Sequence, residues 1–332
     1  MKDNTCQLKA IIGPGRSGTT WAGSLVDSCP DVIYRFEPFH RLSAVNPEVR
    51  QWFEKLKKQA VTEGDLARIY ALFRPAHPLT NKAPFFDEKS YSLRTTGRSQ
   101  LWPLARMLRP AKWLYKTAYS PRPGPPLVFK EVTFIKPLRN LLEQTAIPVV
   151  YLVRHPCATV LSSISGPKQG GRPPRVGQLR EILQANEPAL ANRFADVVEG
   201  SDIIQRTALL WRFEVETCVS LVRRSARGLV MTYEQLADDT HAEARAMFAH
   251  LGIPYGEQTE QFIDSLYGLN AGRQGKPRRT GWGDKHFSVY RNPREQKESW
   301  KEKISPDDRR KIEEIAQGGP AIEACAALGR WW

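Results

Sequence analysis

A glycine-rich turn between an apolar strand and a helical pattern constrains this chain more than any other feature. Residues 8–12, Leu-Lys-Ala-Ile-Ile, read as a buried strand, Gly13-Pro-Gly-Arg-Ser-Gly18 forms the turn, and Thr19, Thr20 and Trp21 open the helix. The N–H groups at a helix start have no intrahelical acceptor. Together with the amides of the turn they converge on one spot of partial positive charge, where an anion can replace the missing acceptors. The segment predicts a phosphate cradle.

The spacing from Gly13 to Gly18 matches the start of a Walker A loop, but Thr19 stands where a P-loop NTPase carries its Lys. Without that Lys a magnesium-dependent, polyphosphate-cleaving reaction lacks its principal cation. The loop suits a nucleotide with a single 5′-phosphate group, held by amides, by Thr19 and Thr20, and by Arg16.

Further apolar runs read as buried strands at residues 127–129, 149–153 and 229–232, with a short one at 32–34. Helical patterns alternate with them at 19–29, 137–144, 156–164 and 204–222. The last places Ile204, Ala208, Trp211, Val215, Cys218 and Val222 on one face. Such alternation predicts a parallel sheet covered on both faces, with ligands at the C-terminal ends of the strands. Residues 40–126 interrupt it with helical patterns at 49–60, 66–73 and 101–107, rich in Trp and base, and read as an insertion that shapes a substrate cleft. Two basic loops rich in glycine lie at 166–175 and 272–283, the first a candidate lid. With 332 residues and no composition break, one domain spanning 1–332 is expected.

Three segments resemble sulfotransferases that use 3′-phosphoadenosine 5′-phosphosulfate (PAPS). Arg16-Ser-Gly-Thr-Thr-Trp21 is similar to their 5′-phosphosulfate loop, with Arg16 as in carbohydrate and tyrosine sulfotransferases where cytosolic members carry Lys. Tyr151-Leu-Val-Arg154 and the following helix, which presents Ser162 two turns later, resemble their 3′-phosphate motif. Leu229-Val-Met-Thr-Tyr233-Glu-Gln-Leu resembles the strand and Tyr that approach the nucleotide. The resemblance implies a P-loop NTPase-like three-layer α/β fold with a central, mainly parallel five-stranded sheet and helical insertions. It also implies cofactor contacts from Arg16, Ser17, Gly18, Thr19, Thr20, Trp21, Arg154, Ser162, Tyr233 and, from a similar C-terminal block, Arg291. Trp21 and Trp282 are candidates to stack on adenine, although Trp21 at helical spacing reads equally as core. Lys130 falls at the position of the family's catalytic Lys, whereas Val132 occupies that of the cytosolic catalytic His, so the His mechanism does not carry over.

Sulfuryl transfer to a weakly acidic hydroxyl needs a base and a means of stabilising charge on the leaving phosphate. Phe36-Glu37-Pro-Phe39 resembles the corresponding segment of carbohydrate 6-O-sulfotransferases and makes Glu37 the expected base, with His40 in reserve. The flanking aromatics are expected to desolvate Glu37 and raise its pKa; a Glu paired with Arg16 or Arg35 to shape the loop is the alternative. Lys130 and Arg16 then bridge the sulfuryl group and the departing phosphate, the product being adenosine 3′,5′-bisphosphate.

The formal charge of +14 implies anionic partners. No nucleic-acid motif accompanies it, and an enzyme that binds a multiply charged cofactor and an anionic acceptor accounts for the charge equally well, so no nucleic-acid partner is expected. The resemblance of the Arg16–Thr20 and Phe36–Pro38 segments implies a carbohydrate or glycoconjugate acceptor, with a peptide tyrosine, a lipid or a small hydroxylated metabolite as alternatives. Five scattered cysteines without CxxC spacing and six dispersed histidines indicate neither disulfides nor a metal site. No run approaches a membrane span, and Met1 leads almost directly into the first strand without an apolar signal segment, so a cytoplasmic protein is expected. The competing functions are a P-loop nucleotide kinase, disfavoured by Thr19, and a basic protein that binds polyanions without chemistry.

Overall fold

A computed structural model of the chain describes residues 7–86, 88–91, 96–166, 174, 176–268 and 292–332. Five strands, β1 (Leu8–Gly13), β2 (Ile33–Phe36), β3 (Leu127–Val132), β4 (Val149–Val153) and β5 (Gly228–Thr232), form one sheet in the order β2-β3-β1-β4-β5. All four pairings are parallel. The expected sheet is therefore present, and β1 lies at its centre.

Strand alternation builds the two faces. Leu8, Ala10 and Ile12 of β1, with Leu127, Phe129, Val149, Tyr151 and Val153, pack against the long helix Ile203–Arg223 and the C-terminal helix Pro320–Gly329. Ile11, Val128, Val150 and Leu152 face the other way, toward α1 (Thr19–Asp27) and the helices Thr240–Leu251 and Glu257–Leu266. Every residue of β1 and β4 is buried, as a central parallel strand covered on both sides requires.

Between β2 and β3 the chain forms α2 (Pro38–Leu42), α3 (Pro47–Lys58), α4 (Glu63–Phe73), α5 (Arg98–Met107) and α6 (Arg109–Tyr119). The helical character of this stretch is as expected from the sequence, but α2 and α6 are additions to it. Asn46 caps α3 through its side chain, and Thr62 with Asp65 forms a capping box on α4. Arg35 of β2, only 1% exposed, donates to the carbonyls of Tyr34 (2.8 Å), Phe73 (2.7 Å) and Arg74, so a buried cation ties the end of α4 to the sheet edge. After β3 come α7 (Ile135–Gln144) and, after β4, α8 (Pro156–Ser165), each close to its expected bounds.

Candidate active site

Where β1 ends, Gly13 lies so near β4 that a Cβ on it would sit 2.3 Å from the Leu152 carbonyl oxygen. The chain then passes through two left-handed residues, Arg16 (φ 74°) and Gly18 (φ 91°). Glycine adopts that conformation freely; an Arg held in it is a strained residue of the kind found at binding loops. Ser17 is fully buried and donates its hydroxyl to the Pro14 carbonyl at 2.8 Å, so its side chain shapes the loop. Gly18 caps α1 without a side-chain hydrogen bond, and Thr19 and Thr20 form the first turn, where an anion can supply what the cap lacks.

Arg16 joins this loop to α8, donating from Nε to Ser162 Oγ at 2.9 Å. Burial lowers its pKa, and the charge of Arg154 lowers it further, so two guanidinium groups repel each other beside the loop. Arg154 follows β4, donates from Nη2 to the Gln296 carbonyl at 2.6 Å, and lies 4.3 Å from the centre of the Tyr233 ring. Its Nε is buried without a hydrogen-bond partner among the described residues. Tyr233 in turn covers the loop closely enough that a Cβ on Gly18 would meet its Cδ2 at 2.4 Å. Five residues from three distant parts of the sequence, Arg16 and Gly18, Arg154 and Ser162, and Tyr233, are thus brought together. The strained cradle and the unpartnered Arg154 Nε leave hydrogen-bond donors available to an anionic ligand.

Trp21 is 6% exposed and packs edge-on to Tyr233 at 5.1 Å within the apolar layer around α1. The structure places it in the core, as its helical spacing allowed, and not on an open ligand face. Trp282, Arg291 and, apart from Gly166 and Pro174, both glycine-rich loops lie outside the described residues.

At the end of β2, Glu37 has a left-handed backbone (φ 46°, ψ 50°) and starts α2, whose first residue is Pro38. Its N–H donates to the Lys130 carbonyl at 2.8 Å, and its Oε1 accepts from Lys130 Nζ at 2.7 Å. Arg41, one helical turn on, donates from Nε to Oε2 at 3.1 Å. Lys130 also lies 4.7 Å from the centre of the Phe36 ring.

The expected elevation of the Glu37 pKa is overturned. Burial does push it up, but Lys130 and Arg41, each as a charge and a hydrogen-bond donor, outweigh burial and lower it to about 2. The aromatic neighbours were legible, but the two cations were not assigned to this carboxylate. Its partners are not Arg16 or Arg35.

A second carboxylate escaped the sequence reading. Glu131, adjacent to Lys130 and on the opposite face of β3, is fully buried and accepts from the Phe39 N–H at 2.7 Å, capping α2. His40 Nδ1 lies 2.5 Å from its Oε2. Burial raises the Glu131 pKa, and the His40 contact opposes that rise. The available signal was a Lys-Glu pair at the end of a strand: alternation sends such neighbours to opposite faces, so each needs its own partner.

A model described as "Sulfotransferase family" matches residues 10–257. The chain belongs to the sulfotransferase family. It is accordingly a transferase that moves a sulfuryl group to a hydroxyl-bearing acceptor, and the loop, the Arg154 cluster and the Glu37–Lys130 pair all lie within the matched span.

Solved structures similar to this sulfotransferase include the sulfotransferase domain from the curacin biosynthetic pathway, 14% identical over 94% of this chain and 98% of that one, with a TM-score of 0.46. Mouse sulfotransferase SULT7A1 complexed with PAP is 13% identical over 97% and 88% of the two chains, with a TM-score of 0.45. The enzyme from Alicyclobacillus acidocaldarius is 12% identical over 98% and 95%, with a TM-score of 0.42. Membership in the family rests on the match over residues 10–257 and not on these structures. No curated protein matches the chain. Among the described residues, no group of three His, Cys, Asp or Glu could hold a metal ion, and no helix is long and apolar enough to cross a membrane.

Proposed function

We propose that this sulfotransferase takes its sulfuryl group from PAPS and delivers it to a hydroxyl of a carbohydrate or glycoconjugate, with Glu37 as the base. PAPS supplies an activated sulfuryl group whose leaving group is a phosphate ester. The observation that carries the reading is the convergence of two charged clusters on adjacent strand ends. Lys130 of β3 is in register with Ile11 of β1, two residues before Gly13, so the Glu37–Lys130 pair flanks the phosphate loop.

In this reading the loop amides, with Thr19 and Thr20, bind the 5′-phosphate, while Arg154 and Ser162 hold the 3′-phosphate and Tyr233 fixes Arg154. The two guanidinium groups of Arg16 and Arg154 each gain an anionic partner from the cofactor, which offsets their mutual repulsion. Glu37 accepts the acceptor's hydroxyl proton at a carboxylate oxygen, and Lys130 and Arg16 offset negative charge on the leaving side. A carboxylate held near pKa 2 is a weak base. Lys130 is the larger cause of that weakness, so turning its ammonium toward an anion at the loop leaves Glu37 to its buried setting and strengthens it as a base. The likeness of residues 36–39 to carbohydrate 6-O-sulfotransferases supports the acceptor class.

The test is calorimetric titration with adenosine 3′,5′-bisphosphate, AMP and Mg-ATP, on the wild type and on Arg154→Ala. Tight binding of the bisphosphate, weakened at least tenfold in the variant by loss of a charge-assisted contact of about 1.5–3 kcal/mol, is the expected result. Mg-ATP binding as tight as the bisphosphate would replace this reading with a nucleotide kinase. Sulfate transfer from labelled PAPS to a panel of glycans, peptides and lipids then tests the acceptor.

A further inference from the structure

The helical hairpin α5–α6 carries large apolar side chains that none of the described residues covers. Leu104 (51% exposed), Met107 (82%), Leu108 (54%), Trp113 (69%) and Leu114 (48%) all lie on it, five of the nine large apolar side chains that the described residues leave exposed. The remainder of the hairpin is firmly fixed. Tyr115 and Tyr119 are buried against each other at 5.1 Å, and Arg98 Nε donates to the Tyr115 hydroxyl at 3.2 Å. Trp102 Nε1 donates to the carbonyls of Pro78 (2.9 Å) and Asn81 (3.0 Å). The exposed apolar side chains are therefore a built feature of an ordered element and not a frayed end.

Charge says what the surface fits. The hairpin itself, residues 98–119, contains five Lys and Arg and no Asp or Glu, and of the five only Arg98 is buried. Arg106, Arg109, Lys112 and Lys116 are interspersed with the exposed Leu, Met and Trp, and among the described residues no carboxylate pairs with any of the four. Short helices with Trp and aliphatic side chains among cations that no carboxylate pairs have the composition of segments that lie in a membrane interface. There the apolar groups enter the acyl boundary while Lys and Arg meet anionic headgroups.

We propose that the α5–α6 hairpin docks this enzyme on the surface of a bilayer containing anionic lipid. A second copy of the chain is a poorer occupant, because a two-fold contact would oppose one cationic face to another. Nucleic acid or another soluble polyanion would satisfy the cations but has no use for exposed Leu108, Met107 and Leu114. The docking does not depend on the identity of the donor or acceptor.

The experiment is co-sedimentation of the full chain with large vesicles of phosphatidylcholine alone and of phosphatidylcholine with phosphatidylglycerol in equal amounts. The wild type should partition onto the anionic vesicles and not the neutral ones. Leu108→Ser with Trp113→Ser, and separately Arg109→Glu with Lys112→Glu, should each weaken partitioning at least tenfold without changing bisphosphate binding or the melting temperature. As a check that does not rest on the serine or glutamate variants, brominated lipid should quench wild-type fluorescence more than that of the conservative variant Trp113→Phe. Three outcomes would overturn the proposal: no partitioning onto anionic vesicles, partitioning that the apolar double variant leaves unchanged, or a wild-type dimer that this variant dissociates.

Discussion

Glu37 and Glu131 stand on either side of the end of β3, and their settings differ in every respect but chemistry. Glu37 keeps a partly open side chain and two permanent cations, Lys130 at 2.7 Å and Arg41 at 3.1 Å, and its pKa is low. Glu131 is fully buried, caps α2 at the Phe39 N–H, and shares its other oxygen with an imidazole at 2.5 Å; its pKa is high. Burial acts in the same direction on both. What separates them is whether the partner is an obligate cation that can be lent to a ligand or a group that can be neutral. The first arrangement suits chemistry, the second suits the placement of α2 and with it the backbone of Glu37.

If that division is right, Glu37→Gln should give the largest effect. Turnover falls by about 10²- to 10⁴-fold, the range for a lost general base, while bisphosphate affinity changes little. A variant retaining more than a tenth of the wild-type turnover would move the base elsewhere, with His40 next in line.

Removing Glu131 should act on stability first. Glu131→Ala leaves the buried Phe39 N–H unpaired at a cost of about 1–3 kcal/mol, and the loss of the His40 contact adds to it. Glu131→Gln should recover most of that loss, because an amide oxygen can still accept from Phe39. Chemical denaturation of the three proteins measures the order. Equal destabilisation by Ala and Gln would mean that charge, and not capping, is the role of Glu131.

Acid unfolding should separate the two carboxylates by sign. The folded pKa of Glu37 is depressed, so its contribution to stability is present above the unfolded value of about 4.5 and is lost as pH falls toward about 2. The folded pKa of Glu131 is raised, so its contribution is present below the unfolded value and is lost as pH rises through the folded one. The stability difference between wild type and Glu37→Gln should therefore shrink on acidification, whereas that for Glu131→Gln should shift the opposite way. Curves that move in parallel would contradict the contrast.

The smallest effect is expected at Arg41, whose side chain is 43% exposed. Arg41→Ala removes one of two cations from Glu37 and should change stability by no more than about 0.5 kcal/mol, the scale of an exposed helical pair. A change of several kcal/mol would show that Lys130 alone cannot balance the carboxylate.

Legibility in the sequence followed the range of the interactions. The five strands were readable in place, β1, β4 and β5 to within a residue and β2 and β3 short of their C-terminal ends, because burial on both faces writes unbroken apolar runs such as Val149–Val153. The loop was readable because its conformation needs Gly13 and Gly18 where they stand. Within the stretch between β2 and β3, helices α2 and α6 were missed, and the helices Thr240–Leu251, Glu257–Leu266 and Pro320–Gly329 that cover the sheet were not read either. Five residues are too few for periodicity to register in α2, and the exposed apolar side chains of α6 blur its pattern. The pairing of Glu37 with Lys130, 93 positions apart, left no local trace.

By itself, then, the sequence determined the parallel sheet, the cradle at the end of β1 and the set of charged residues available to it. Backbone conformation and apolar period depend on near neighbours in the chain. Which cation meets which carboxylate, and hence that Glu37 is held low and Glu131 high, was decided only when β2, β3 and α2 came together. The field at an ionisable group is a sum over neighbours in space, and burial multiplies it.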